Sequence, residues 1–210
     1  MIQKVTAFII RKKGKSPQLL LFEHPHAGIQ IPAGTVEEGE TPQEAILREL
    51  REETGLEQVS IINLLGNQKK NLPEDQKYIK KHTKVYSRPN LSGFDWATLR
   101  PGITVHLIRT APGFSQIEFR EYDQVPDARF ETMVIKGWVP NETLADSSMR
   151  TFFLVGVEDI EKESWTHFAD NHTFTFFWSW LDKLPQIIQP QDTWLQFLEK
   201  EYPQVSQRRQ

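Results

Sequence analysis

The chain has 210 residues, a formal charge of −3 and no cysteine, with thirteen phenylalanines and six tryptophans to fill a core. That length suits one domain carrying an insertion better than two full domains. The acidic balance argues against a general nucleic-acid or membrane surface; the missing thiols exclude disulfides and thiolate zinc sites and fit a reducing compartment.

Residues 2–11 read as a first strand, 14–17 as a turn, and 18–22 as its hairpin partner. The apolar start at 5–10 is too short for a signal-peptide core and runs into Arg11-Lys12-Lys13. No run approaches the ~20 apolar residues of a membrane span, so the expectation is a cytoplasmic protein with no membrane partner. A loop at 23–28 holds His24 and His26. They could be metal ligands, substrate contacts or ordinary loop residues, and no third ligand stands near them in the sequence.

Residues 34–56 form a glycine-punctuated loop leading into a short helix loaded with acid. Thr41 suits the N-cap, Pro42 the first helical position, and Glu44 at N3 completes a capping box. Gly55 is a natural C′ residue, which predicts a helix over 42–54. Ile46, Leu47 and Leu50 share a face expected to be buried. Glu49, Glu52 and Glu53 fall at i, i+3 and i+4 on a neighbouring face. Like charges at that spacing cost a helix roughly 0.2–0.5 kcal/mol per pair, and the macrodipole disfavours anions in the last turn. A divalent cation held between the carboxylates would remove the conflict, and hard oxygens suit Mg²⁺ or Mn²⁺.

Gly34, Glu40, Arg48, Glu49, Leu50, Glu52, Glu53, Gly55 and Leu56 match every specified position of the pattern Gly-x5-Glu-x7-Arg-Glu-U-x-Glu-Glu-x-Gly-U, where U is a bulky aliphatic. The segment therefore resembles the Nudix box. A solvated acidic helix would explain the charges but not the loop spacing. The resemblance implies that Glu49, Glu52 and Glu53 hold the metal, joined by the carbonyl of Gly34. It also implies that Arg48 pairs with a box carboxylate and steadies it. Glu37 and Glu38 read as solvated loop acids.

Beyond the box, 58–65 reads as a strand. Residues 69–88 then carry Lys69, Lys70, Lys77, Lys80, Lys81, Lys84 and Arg88 against Glu74 and Asp75. These could form a positive rim for a polyphosphate, or be solvated lysines blunting an edge strand. Residues 87–148 lie outside the resemblance and read as a β-rich insertion, with strands at 103–109, 116–122 and 132–139 punctuated by proline-containing turns. Strands follow at 151–157 and 173–178. A Leu181-Asp182-Lys183-Leu184 turn resembles the closing part of Nudix domains, and 192–199 reads as a short amphipathic helix.

Taken over the chain, the resemblance implies a single Nudix-type α/β/α sandwich over 1–210, with a mixed β-sheet and an insertion at about 87–148. It implies hydrolysis of a pyrophosphate bond in a nucleoside diphosphate linked to another group. The substrate is then a small nucleotide, and the catalytic residues are Arg48, Glu49, Glu52 and Glu53. Ala33 before Gly34 leans toward ADP-ribose and nucleotide-sugar enzymes, although Leu72 stands where many of those carry proline. Dinucleoside polyphosphates, (d)NTPs, RNA 5′ ends and a non-catalytic sensor remain open. The aromatic side chains of the insertion must pack on the parent sheet, on another subunit as in a homodimer through that region, or over the substrate.

Overall fold

The computed structural model describes residues 1–14, 16–125, 127–158, 162–169 and 171–205. They divide into two compact units. One comprises Val5–Gly34, Glu40–Asn67 and Thr151–Gln210 and carries most of the box; we call it the box unit. The other comprises Met1–Lys4, Thr35–Gly39 and Gln68–Arg150.

The first sheet is built from β1 (Ile2–Lys13), β2 (Ser16–His24), β3 (Gly28–Gln30), β4 (Ala33–Thr35), β5 (Val59–Asn71), β13 (Ser147–Val157), β14 (Ser164–Ala169) and β15 (His172–Trp180). Its main path runs β14-β15-β2-β1-β13-β5, with β3 added to β2 and β4 to β1. It is a mixed sheet. The strands expected at 2–11, 18–22, 58–65, 151–157 and 173–178 are all present, each somewhat longer. Val5, Ala7, Phe8, Ile9 and Ile10 are all buried, and so are Leu19 to Phe22. Burial without alternation means both faces are covered, which is the condition of a sandwich. On one face Phe8, Ile10, Leu19, Leu21, Phe152 and Leu154 pack with Leu181, Leu184, Ile187, Trp194, Leu195 and Leu198 from the C-terminal segment.

α1 spans Pro42–Thr54, the range the capping signals predict. Thr41 Oγ accepts from the Glu44 amide, the Glu44 carboxylate accepts from the Thr41 amide at 2.8 Å, and Gly55 closes the helix at φ 71°. The buried residues are Ala45, Ile46, Leu50 and Thr54, whereas Leu47 is only half-buried. The inward face is thus centred on the Ile46–Leu50 line rather than spreading to Leu47. The segment expected as a helix at 192–199 is instead a 3-10 helix over Gln191–Phe197. It follows Pro190 with no side-chain cap, and short stretches without a cap close on tighter bonds.

The second unit centres on a seven-stranded sheet of β6 (Gln76–Ile79), β7 (Thr83–Tyr86), β8 (Asp95–Leu99), β9 (Thr104–Ala111), β10 (Phe114–Tyr122), β11 (Glu131–Pro140) and β12 (Leu144–Ala145). The order is β12-β6-β9-β10-β11-β7-β8. β9, β10 and β11 answer the three strands expected here. β6 and β7 are hidden in the sequence by Lys77 and Lys84, because a strand pairing along a sheet can send every second side chain to water. Ile79, Val85, Leu99, Val105, Ile117, Ile135 and Val139 give this unit a small aliphatic core of its own. No helix of the described residues is long and apolar enough to cross a membrane.

Candidate functional site

The acidic face of α1 is organised by Arg48. Its Nε lies 2.7 Å and its Nη2 3.0 Å from the two carboxylate oxygens of Glu40, a two-pronged pairing of the kind a guanidinium favours. Nη1 reaches Glu52 at 3.0 Å and Glu49 at 3.2 Å. The Glu40 carboxylate first, then Glu49 and Glu52, push the Arg48 pKa above its usual range, so the positive charge is fixed. Arg48 thus relieves part of the repulsion among the glutamates without any metal. Glu40 is the residue that reading for acids on one helix face passes over. It precedes the helix, and only its fixed place in the box pattern marks it.

Gly34 meets Glu49 so closely that only hydrogen fits between them. A Cβ on Gly34 would lie 2.0 Å from Glu49 Cδ and 2.1 Å from Oε1. The glycine is therefore required by the carboxylate it faces, and β4 fixes where that carboxylate stands. The side chains of Glu49 and Glu52 differ sharply in exposure, at 15% and 59%. One oxygen of Glu53, Oε2, is buried and takes no hydrogen bond, while the residue is engaged elsewhere.

The resemblance calls for a divalent cation here. As the side chains stand, no three histidines or carboxylates among the described residues are set to hold a metal ion together. The donor chemistry nevertheless fits: half-buried carboxylates on adjacent turns, the hard oxygens that Mg²⁺ or Mn²⁺ takes, and a glycine that leaves Glu49 room.

Strand β14, which the sequence did not announce, clasps the end of the helix. Trp165 Nε1 donates to the Thr54 carbonyl at 2.9 Å, and His167 Nε2 donates to the Glu52 carbonyl at 2.9 Å. Those carbonyls belong to the last turn, where a helix runs out of its own donors. β14 escaped notice because its pattern is inverted: Trp165 and His167 are half-buried while Phe168 stands 66% exposed.

His24 and His26 gain a third histidine that only the fold supplies. His172 at the start of β15 lies 4.8 Å from His24 and 5.8 Å from His26, ring centre to ring centre. His24 Nδ1 accepts from the His26 amide at 3.0 Å. Burial, then His172 and His26, push the His24 pKa down. Glu37 and Glu38 are exposed. In the basic stretch Lys77 pairs with Asp146, Lys81 with Glu142 at 3.2 Å and Lys84 with Asp95 at 2.7 Å. Three of the seven cations are thereby accounted for as surface ion pairs.

The family model described as NUDIX domain matches residues 2–146, taking in most of 87–148 and stopping before β13. Over 61 residues the chain is 48% identical to an RNA pyrophosphohydrolase of Hydrogenovibrio crunogenus (strain DSM 25203 / XCL-2), a stretch covering 29% of this chain and 34% of that protein. The chain thus spans about a third of that relative's length. The box geometry around Gly34, Glu40, Arg48 and Glu49 agrees with a family match extending over more than half of the residues, and the chain belongs to the Nudix family.

Proposed function

We propose that this protein is a divalent-metal-dependent hydrolase of pyrophosphate bonds in nucleoside diphosphates linked to a further group. The observation that supports it most is the acidic face of α1, complete in its carboxylates and braced by Arg48 and Gly34. Glu49 and Glu53, with Glu52 and the Gly34 carbonyl, would hold Mg²⁺ or Mn²⁺. When bound, that cation supplies positive charge against the phosphates and makes water a competent nucleophile at neutral pH. Arg48 keeps Glu49 oriented and cannot itself give up a proton, so it acts by position and charge. A box carboxylate left partly free of the cation accepts the proton of the attacking water.

For the substrate, Ala33 before Gly34 supports the ADP-ribose and nucleotide-sugar reading. The similarity to a protein named RNA pyrophosphohydrolase supports a second one, RNA 5′ ends. The test is hydrolysis of ADP-ribose, nucleotide sugars, dinucleoside polyphosphates, (d)NTPs and 5′-triphosphorylated RNA with Mg²⁺ or Mn²⁺. Glu53→Gln keeps size and helix propensity, and on the best substrate it should fall by ~10²–10⁴-fold, the range for losing a proton-transfer group. Activity within a few-fold of wild type would remove the assignment.

A further inference from the structure

The turn that brings Gly34 to Glu49 depends on a distant part of the chain. β3 ends at Gln30 and β4 begins at Ala33, so Ile31 and Pro32 fall between the two strands. Ile31 is 1% exposed, and a buried amide without an acceptor is costly to keep. Its acceptor lies 160 residues further along the chain. Gln191 Oε1 accepts from the Ile31 amide at 2.6 Å, while Gln191 Nε2 donates to Gln30 Oε1 at 3.2 Å. A backbone N–H can only donate, which settles which end of the Gln191 amide faces it. Pro32 is tied separately, its carbonyl accepting from the Ala7 amide of β1 at 3.0 Å.

Gln191 is itself firmly placed. It is buried, the Ile188 amide donates to the Ile29 carbonyl at 3.0 Å, and Trp194 and Leu195 join the same core cluster as Ile31. The C-terminal segment therefore lies along β3 and presents one polar arm to the turn. From that anchored turn the chain passes directly to Gly34, where a Cβ would lie 2.0 Å from Glu49 Cδ. So close a contact transmits any shift of the turn to the Glu49 carboxylate, and to the Gly34 carbonyl beside it. Functional groups of this kind must be held within about 0.5 Å of their working positions. Gln191 also lies beyond residues 2–146, the part that matches the family model.

We infer that Gln191 is a positioning residue for the divalent cation. By holding the Ile31 amide it sets the Gly34 carbonyl and, through the Gly34 contact, the Glu49 carboxylate. The inference rests on the hydrolase reading with its cation, and it names a further residue on which cation binding depends. Such coupling is reciprocal: if losing the Gln191 bond weakens cation binding, a bound cation strengthens that bond by the same factor.

The test uses the full chain with Mg²⁺ as the probe. In calorimetry Gln191→Leu, which offers the Ile31 amide no acceptor, should bind Mg²⁺ about tenfold more weakly, the lower end of the range for outer partners of metal ligands. Gln191→Glu keeps an acceptor oxygen and should bind as wild type does. Val205→Ala, in the same core cluster but with no side-chain hydrogen bond to give, should lower the melting temperature and leave Mg²⁺ affinity unchanged. Hydrogen exchange at the wild-type Ile31 amide needs no variant of Gln191, so it decides even where Gln191→Leu folds poorly. Under native conditions, where local opening governs exchange in a turn, Mg²⁺ should slow that amide about tenfold by the same reciprocity. In Glu49→Ala/Glu53→Ala it should not. Unchanged affinity in Gln191→Leu, equal weakening in Gln191→Glu or Val205→Ala, or a wild-type Ile31 amide indifferent to bound Mg²⁺ overturns the inference and leaves the hydrolase reading standing. If wild type binds no Mg²⁺ at millimolar concentration, the cation itself is refuted, and the role of Gln191 falls with it.

Discussion

Replacing Gly34 by alanine separates the chemistry of the box from its folding. Gly34 does not occupy the left-handed region, so alanine can adopt its backbone. The added methyl would meet Glu49 Cδ at 2.0 Å, Oε1 at 2.1 Å and Cγ at 2.3 Å, and nothing else comes as near. The Glu49 side chain is the only part that has to yield, and it must retreat by more than an ångström. Displacement of a catalytic group by ~1 Å costs about 10²-fold in rate, or ~2.7 kcal/mol of transition-state stabilisation. Stability should move the other way, because replacing glycine at a compatible site restricts the unfolded chain and gains ~0.4–1 kcal/mol. For a chain of this size that is a rise in melting temperature of ~1–4 °C. The assay measures kcat/KM with saturating Mg²⁺ on the best substrate, the melting temperature without metal, and its increase on adding Mg²⁺. Gly34→Ala should lose activity and most of the metal-induced increase while melting no lower than wild type. Activity within three-fold of wild type, with the metal increase intact, would refute the idea that Glu49 is positioned by this contact.

Thr41→Ala removes the side-chain half of the capping box, the Oγ that accepts from the Glu44 amide, and leaves the residue-41 amide to donate to Glu44; it should cost ~1 kcal/mol, a fall of ~2–4 °C in melting temperature, with Mg²⁺ dependence retained. An unchanged melting temperature would show that the helix start is held by packing alone. His24, whose pKa is pushed down by burial and by His172 and His26, binds its proton less readily folded than unfolded. Stability should therefore fall as pH drops below the unfolded histidine value of about 6.5, and His24→Gln should flatten that slope in melting curves between pH 7.5 and 5.5. Phe94 is 73% and Trp96 46% exposed, on and beside β8 at the edge of the seven-stranded sheet. We propose a homodimer through this region, which should appear in sedimentation equilibrium at micromolar concentration and be lost in Phe94→Glu/Trp96→Glu; a monomer throughout would eliminate it.

What was legible in the sequence was whatever short-range chemistry specifies. Thr41, Pro42, Glu44 and Gly55 set both ends of α1 to the residue, because caps act within one turn. The aliphatic runs of β1, β2 and β13 announced buried strands for the same local reason. The partners of the site were not legible, since they arrive from far along the chain. His167 and Trp165 reach the end of α1 from more than 100 residues away, and His172 joins His24 across a similar gap. No periodicity encodes such meetings; they follow from β14 pairing with β15 and β15 with β2.

The aromatic residues of the insertion show how a sound premise can still miscount. A unit of two or three strands cannot bury that many rings alone. The unit also takes in β6 and β7 from the lysine-rich stretch, and its core is aliphatic. Trp138 is buried and Phe119 packs at the margin of that core, while Phe94, Trp96, Tyr122 and Phe130 stay exposed. Lys77, Lys81 and Lys84 answer acids at the surface. The box helix concentrates charge of the opposite sign. Glu49 and Glu52 crowd on one face, and Arg48 relieves them only in part. The chain keeps there a repulsion that a simple substitution would remove, and the divalent cation proposed for this face would be the physical reason to keep it.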